Sequence, residues 1–344
     1  MEAKVMRVMV ADREKLERYM SEQARRKGIA EAEEFDLALD SLVMEVDDEL
    51  VQEGLQPFQR PINACSRIAD RIGISFTIGQ EKDDFVEAVH KIYEKLYRAS
   101  DLHMPPMHIG TFMFRDVFLP LRVFVIYGKV RLSPMQGMHD VPENVLKWVF
   151  HNDETGQTFC DQWIDLYDFV YGLDDVEKLK NHPAQAIEFW LLAKQQLEGA
   201  AATLLGSIDK YTVIQNSVIA MELLLKGALF ANGMTEKEVR NYSHNMKELV
   251  EKACEIMPNA DHTRLKMMVG RAPKLVERRY QMKDYKRTEL GQIMMDAQYA
   301  AGEVLRQFID RDIRVSLAGE SASGRDYSQR YYPPLKPDGH VATI

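Results

Sequence analysis

"AMELLLKGALFANGMTEKEVRNYSHNMKELV", residues Ala220–Val250, carries most of the information about the fold of the C-terminal part of the chain. Its first half is so rich in Leu and Ala that it predicts a buried helix. Glu222 and Lys226 interrupt this apolar segment one helical turn apart, in the Glu-to-Lys order that favours an ion pair. Gly233 is predicted to end the helix, because glycine readily takes the left-handed conformation that follows a last turn. The stretch thus predicts a core helix with a structural ion pair between Glu222 and Lys226.

The second half of the stretch predicts two further helix starts. Thr235–Glu238 has the Thr-x-x-Glu pattern of a capping box, in which hydroxyl and carboxylate each satisfy a free backbone N–H. Ser243 is predicted to cap the next helix, which would begin at His244 and end at Pro258. Helical patterns also flank the stretch, so residues 181–314 are predicted to form an antiparallel helical bundle.

The remaining chain separates into three segments. Residues 1–72 have mainly helical patterns. Residues 73–178 contain β-branched and aromatic runs, among them Ile74–Gly79, and predict a small α+β region with several short strands. Residues 315–344 are rich in Ser, Gly, Pro and Tyr, which predicts a flexible tail. The predicted fold class is therefore α+β, mostly α, with a small N-terminal α+β region followed by a helical bundle.

Composition restricts the class of protein. The 344 residues carry a formal net charge of −9, which argues against a uniformly basic coat for nucleic acid but not against a local patch. One basic cluster could be either a solvated helix face or an anion-binding patch: Lys274, Arg278, Arg279, Lys283, Lys286 and Arg287. The three cysteines form no Cys-x-x-Cys pair, which argues against a zinc site. With no signal-peptide pattern and no apolar run of membrane-spanning length, we expect a cytoplasmic protein without membrane association, metal or cofactor.

Two residue patterns outside the predicted bundle could indicate a catalytic or metal-binding site. Arg98 and His103 have an Arg-x(4)-His spacing, but chance alone supplies such a spacing in a chain of this composition. His103 and His108 could be metal ligands. Because no acid or cysteine accompanies them at a ligand-like spacing, a loop or sheet-edge role is favoured for both.

Three motifs in residues 185–312 resemble the HEPN domain, a helical module of higher-eukaryote and prokaryote nucleotide-binding proteins. AMELLLKGALFANG is similar to the second helix of that family, in which an acid and a lysine interrupt a Leu/Ala core. SHNMKELV is similar to the family's Ser/Thr/Gly-His-(Asp/Asn)-x-x-x-Leu helix start, and LVERRYQMKDY to the Arg-Tyr element before its final helix. The resemblance implies a five-helix bundle, a homodimer and a nucleotide or RNA ligand, and by analogy a place in bacterial stress response or phage defence.

The same resemblance bears on catalysis. Many HEPN proteins are ribonucleases in which an Arg-x(4–6)-His motif supplies a proton-transferring histidine and an arginine that stabilises phosphate charge. Here only three residues separate Arg240 from His244, and the predicted bundle contains no Arg-x(4–6)-His. The resemblance therefore implies a binding module that is not an enzyme. In the alternative, a divergent metal-independent ribonuclease, Arg240 and His244 are the catalytic candidates.

The residues expected to bind the ligand combine positive charge with aromatic faces. Arginine presents a planar fork that suits phosphate, and tyrosine rings can stack on bases. These residues are Lys226, Arg278, Arg279, Tyr280 and Tyr285. A second alternative is a protein–protein scaffold, in which the acidic helix predicted at residues 31–53 docks a basic partner.

Overall fold

The computed structural model describes residues 15, 18, 34–77, 83–126, 133–135, 137–138, 140–206, 210–274 and 285–313. This part of the chain is mostly helical and has one two-stranded antiparallel sheet, in agreement with the predicted mostly α class. The chain divides into two compact units, Met1–Pro105 and Pro106–Ile344. The predicted tail at residues 315–344 lies outside the described residues.

The first unit is helical throughout its described part. Its helices are α1 (Glu34–Gln52), α2 (Arg60–Ile72), α3 (Asp84–Leu96) and α4 (Ala99–Leu102). Apolar residues at helical spacing pack the three longer helices against one another, among them Val43, Val46, Leu50, Ile68 and Val89, all fully buried. Residues 74–77, predicted as part of a strand, have no strand structure, and residues 78–79 lie outside the described part.

The acidic face of α1 lies against arginines of α2. Arg71 donates to both carboxylate oxygens of Glu49, at 2.5 and 2.6 Å, and contacts Glu45 at 3.3 Å. Arg67 donates to Glu53 and lies 3.4 Å from Glu49. The hydrogen bond from Arg71 is the main reason that the pKa of Glu49 lies below its ordinary value. A basic partner that docked here would have to compete with these arginines, and such docking stays a prediction.

The second unit contains a β-hairpin and eight helices in its described part. The strands are β1 (His108–Phe114) and β2 (Val117–Val123), and the helices are α5 (Glu143–His151), α6 (Asp153–Leu179), α7 (Ala184–Gly206), α8 (Lys210–Ala231), α9 (Glu236–Asn241), α10 (Met246–Ile256), α11 (His262–Gly270) and α12 (Arg287–Arg306). Helices α6, α7, α8 and α12 and the hairpin contribute to one continuous apolar core.

The hairpin is attached to the bundle through a glutamine of α12. Gln298 accepts from the backbone N–H of Thr111 at 2.7 Å and donates to the carbonyl of the same residue at 2.9 Å. These groups of Thr111 therefore point away from β2, and Pro120, its partner in the register, is tolerated because no ladder bond is required there. Gly110 allows the close approach, since a Cβ at this position would lie 2.6 Å from the Gln298 side-chain oxygen.

The α7–α8 pair is held by a tryptophan that packs against a glycine. Trp190 is fully buried, and its Nε1 donates to the carbonyl of Leu224 at 3.2 Å. A Cβ on Gly227 would clash with that same nitrogen. Gly227 is thus needed in the middle of α8 for contact with Trp190, despite the low helix propensity of glycine.

The chain boundary between the two units lies at residues 105 and 106, whereas the sequence patterns predicted segment boundaries after residue 72 and after residue 178. Residues 106–179 share their core with the bundle, because the inner face of the hairpin, including Phe112, Leu119 and Leu121, packs with helices on both sides of residue 180. Residues 73–105 instead belong with the helical N-terminal segment. Periodicity along the chain detects a change of element type, whereas burial decides which elements share a core.

The predicted helix ends in the opening stretch are partly confirmed. The capping box is present: Glu238 Oε2 accepts from the backbone N–H of Thr235 at 2.7 Å. Gly233 has φ +84°, as expected for a residue after a helix end. The Ser243 cap is wrong, because Ser243 has φ +43° and a cap residue needs extended backbone. Asn245 is the actual cap of α10, and its side chain accepts from the N–H of Glu248.

One helix in the described part, Tyr211–Ala231, is long and apolar enough to cross a membrane by composition. Within it, 67% of the most apolar window is buried inside the protein. The core helix of a compact bundle passes the same test, and its burial here accounts for its apolar character.

Candidate functional site

Helix α8 places Glu222 and Lys226 on one face, four residues apart. The Lys226 Nζ lies 2.5 Å from Glu222 Oε1, and the two side chains are only 15% and 14% exposed. The pair is therefore the predicted internal ion pair, formed at the edge of a helix whose other faces are packed. Such a pair is tolerated because each charge has a partner at short range.

The turn before α10 brings His244 to the same carboxylate. The His244 Nδ1 lies 3.0 Å from Glu222 Oε2 and 3.1 Å from Oε1, and the imidazole is 53% exposed. A carboxylate only accepts hydrogen bonds, so Nδ1 must carry the proton in this contact. In the neutral ring the Nε2 lone pair then remains available, and Glu222 holds the orientation of the ring.

Arg240 is not part of this arrangement. Its guanidinium pairs with Glu236 at 2.5 Å on the same short helix, α9, and its side chain is 77% exposed. Within the described part, the ion pairs of Glu222 are those with Lys226 and His244, and that of Arg240 is with Glu236. The structure thus joins the ion pair to His244 and leaves Arg240 in a separate pair.

The other predicted ligand-binding residues are placed only in part. Arg278, Arg279 and Tyr280 lie outside the described residues. Tyr285 precedes α12 and is half-buried, with its ring packed against the apolar core of the second unit. Its role in stacking on a base stays a prediction.

His103, one of the two histidines that could have suggested a metal site, has a local partner. His103 contacts the carbonyl of Ala99 at 2.6 Å, and Arg98 pairs with Asp101 through two hydrogen bonds of 2.8 and 2.9 Å. Over the described ranges of the chain, no group of three or more His, Cys, Asp or Glu side chains is arranged to hold a metal.

His108 begins β1 and belongs to a buried network that the sequence did not reveal. Its Nδ1 lies 3.1 Å from Glu198, which also accepts from Lys194 at 2.7 Å. Burial lowers the pKa of His108, and the hydrogen bond to Glu198 offsets part of that effect. The imidazole is thus neutral near pH 7 and fastens the start of the hairpin to α7. Its partners are 86 and 90 positions away along the chain, so no local pattern could have indicated them.

A second set of buried charges joins α6 to α12. Arg306 donates to Asp165 at 2.8 Å and to Asp168 at 3.1 Å, and it also contacts Glu303. The aspartates of α6 recur at helical spacing inside an apolar segment, which is the one sequence signal that could have indicated this network. Because these charged side chains are buried and pair with one another, the network serves to join α6 to α12.

A further buried carboxylate lies at Asp296 of α12. It accepts from Arg271 at 3.0 Å and from Gln292 at 2.8 Å. Burial raises the pKa of Asp296 to about 6, although the Arg271 guanidinium opposes the shift. This carboxyl is a pH-sensitive element of the core.

The solvent-facing cluster of Glu222, Lys226 and His244 differs from these networks because its imidazole is half-exposed. A carboxylate-oriented imidazole beside an ammonium group can donate hydrogen bonds to an anion or transfer a proton. Comparison with known proteins adds no identification: no family model, curated protein or solved structure matches this chain.

Proposed function

We propose that the second unit is a HEPN-like module that binds RNA or a nucleotide without cleaving it. The observation that carries this proposal is that Glu222 holds both Lys226 and the half-exposed His244. These three residues come from the two motifs that resemble the family's second helix and the following helix start. The proposal includes a homodimer, as the resemblance implies, and a cytoplasmic location, as expected from the sequence pattern.

The cluster can recognise a phosphate or a base edge by hydrogen bonding. His244 has a second ring nitrogen that makes no hydrogen bond to the described part of the chain, and Nδ1 is already engaged by Glu222. Lys226 has three ammonium hydrogens, of which the contact with Glu222 uses one. Nε2 accepts a hydrogen bond in the neutral ring and donates one in the imidazolium. Glu222 thus pre-orients this nitrogen and the remaining ammonium hydrogens of Lys226, which would otherwise lose side-chain entropy on binding.

The position of Arg240 supports the proposal that the module binds without cleavage. Cleavage of a phosphodiester requires a cation that stabilises the developing charge in addition to a proton-transferring group. Arg240, the arginine closest in sequence to His244, is paired with Glu236. The Glu222 carboxylate moreover neutralises the Lys226 ammonium beside His244.

Binding can be measured by fluorescence anisotropy of labelled mixed-sequence RNA and of labelled ATP, over a series of salt concentrations. We expect salt-sensitive RNA binding that weakens about tenfold in His244→Ala, because a hydrogen bond to a charged group contributes about 1.5 kcal/mol. The matched control is His90→Ala, which removes an exposed histidine of the first unit. Absence of binding, or equal affinities of the wild type and both variants, would contradict the proposal.

The second candidate function is a divergent metal-independent ribonuclease. The specific observation in its favour is the contact of His244 with Glu222, since a carboxylate-oriented imidazole is the usual arrangement of a general base. Incubation with the same RNAs separates the candidates. RNA cleavage that is lost in both His244→Ala and Glu222→Gln would establish the ribonuclease and overturn the binding-only proposal.

A further inference from the structure

The tip of the β1–β2 hairpin and helix α5 together present exposed aromatic and arginine side chains. The guanidinium carbon of Arg115 lies 5.5 Å from the centre of the Phe114 ring and 5.8 Å from that of Trp148. Trp148 is 59% exposed, which is unusual for so large an apolar side chain. The neighbouring Val117 is also exposed. This surface therefore has an open aromatic face with a cation beside it.

A second arginine reaches the same turn from α12. The guanidinium carbon of Arg287 lies 4.7 Å from the centre of the Phe118 ring, and its Nε donates to the backbone carbonyl of Asp116 at 2.9 Å. We refer to Phe114, Arg115, Phe118, Trp148 and Arg287 as the hairpin-tip surface.

The charges on the hairpin-tip surface are not internally neutralised. Neither Arg115 nor Arg287 has an ion pair with a carboxylate within the part of the chain that the structure describes. The nearby Glu143 and Lys147 pair with each other at 2.9 Å. Asp116 contributes one carboxylate at the turn against two guanidinium groups, so the five residues of the hairpin-tip surface together with Asp116 carry a net positive charge.

The backbone at Arg115 supports a role beyond turn formation. Arg115 and Asp116 form the two-residue turn between the paired residues Phe114 and Val117, and Arg115 has φ +57°. Turns of this kind favour Gly or Asn at positions of positive φ, because a larger side chain costs conformational free energy there. An arginine at this position is thus unfavourable for the turn itself, so the contacts of its side chain are the feature that offsets the conformational cost.

We propose that the hairpin-tip surface binds single-stranded nucleic acid, with a base stacked on Trp148 and phosphates on Arg115 and Arg287. Stacking on an exposed aromatic ring combined with backbone contacts to arginine is how single strands are bound without sequence preference. Two arginines that have no carboxylate partner among the described residues favour a polyanion as the occupant. The proposal rests on RNA as the ligand class of the proposed function, but its residues are separate from His244.

The test compares variants by anisotropy with a labelled oligo(A) of about 12 nucleotides, a length within the site sizes of single-strand binders. Asn suits the left-handed position, so Arg115→Asn should unfold at the same temperature as the wild type or higher. Its affinity for the oligonucleotide should nevertheless fall, and the salt dependence of binding should become shallower by about 0.7 in slope. Trp148→Leu should weaken binding about tenfold or more, the effect of one lost stacked base. The control is Arg98→Asn, which removes another exposed arginine, one that pairs with Asp101 in the first unit.

The fluorescence of Trp148 also reports directly on oligonucleotide binding at this surface. The chain has three tryptophans, and the other two, Trp163 and Trp190, are buried. Quenching of tryptophan fluorescence by acrylamide therefore reports mainly on Trp148. Bound oligonucleotide should protect this fluorescence in the wild type and in His244→Ala, but not in Trp148→Leu.

The possible outcomes separate this inference from the proposed function. If His244→Ala weakens binding while Arg115→Asn and Trp148→Leu bind as the wild type does, the hairpin-tip inference fails and the proposed function stands. The reverse pattern supports the inference and removes His244 from the binding site. If the two hairpin variants change only the oligomeric state in sedimentation, the surface is a protein interface and the inference is overturned. Absence of oligonucleotide binding overturns the inference, and it overturns the proposed function as well only if mixed-sequence RNA and ATP are not bound either.

Discussion

The Glu222–Lys226 pair can be tested as a structural element by a double-mutant cycle. The perturbation combines Glu222→Gln and Lys226→Met, singly and together. The two side chains are only 14% and 15% exposed, and their charged atoms lie 2.5 Å apart. Removing one partner leaves the other ion in a place where little water can replace the lost contact. The amide introduced by Glu222→Gln would retain an acceptor for His244, so the cycle addresses charge rather than shape.

The expected magnitude follows from the exposure of the pair. Loss of one partner from a fully buried pair costs about 3–5 kcal/mol, and partial access of water reduces this to roughly 2 kcal/mol for each single variant here. Replacement of both charges removes the attraction and the desolvation penalty together. We therefore expect the double variant to lose no more than a single variant, roughly 2 kcal/mol at most, which gives a coupling energy of about 2 kcal/mol or more.

The matched control is the exposed pair Glu236–Arg240. It has the same spacing of four residues and the same separation of 2.5 Å, but its side chains are 56% and 77% exposed. Its coupling energy, measured with Glu236→Gln and Arg240→Met, should stay below about 0.5 kcal/mol. The comparison therefore isolates burial as the cause of any difference.

The assay is urea unfolding followed by far-ultraviolet circular dichroism, with the free energy of unfolding extrapolated to water. A single variant of Glu222 or Lys226 that is as stable as the wild type would contradict the expected cost of an unpaired charge. So would coupling energies that agree between the two pairs within about 0.5 kcal/mol. Either result would mean that water solvates Glu222 and Lys226 as freely as the exposed pair.

Two further predictions concern the core of the second unit. Gly227→Ala should lower the free energy of unfolding by about 2 kcal/mol in urea titrations, because the clash of the added Cβ with buried Trp190 outweighs the better helix propensity of alanine. The control is Gly270→Ala, in which the added Cβ meets no atom within 4 Å, and this variant should be as stable as the wild type or more stable. Asp296 has a raised pKa of about 6, so its contribution to stability is full below its ordinary pKa of 3.8 and is lost as the pH rises through 6. Relative to Asp296→Asn, the wild type should therefore lose about 2 kcal/mol between pH 4 and pH 7, and parallel pH profiles of the two proteins would contradict this.

The local features of the opening stretch show what a sequence pattern can predict. The capping box at Thr235 and the left-handed Gly233 follow from interactions between residues at most five positions apart, and both are present in the structure. The Ser243 cap failed for a local reason as well. Ser243 and Asn245 are both good capping residues, and the position of the turn selects Asn245.

The contacts that form the candidate site, unlike the helix caps, join residues that are far apart along the chain. Glu222 and His244 are 22 residues apart, and they meet because α9 and the turn after it return the chain to α8. Neither helical period nor residue type specifies that return. The hairpin-tip surface likewise depends on α5 and α12 approaching a two-residue turn, which no short motif could indicate.

The mostly helical class, the core helix from Lys210 to Ala231 and the Glu222–Lys226 pair could all be predicted from the amino-acid sequence. These features depend on periodicity and on neighbours within one helical turn, which are properties of the chain alone. Three other features emerge only in the folded protein: residues 106–179 share a core with the bundle, His244 joins Glu222, and Arg115 lies against Trp148. Burial of apolar surface brings these distant elements together, and it depends on the shape of the whole unit rather than on any segment of it.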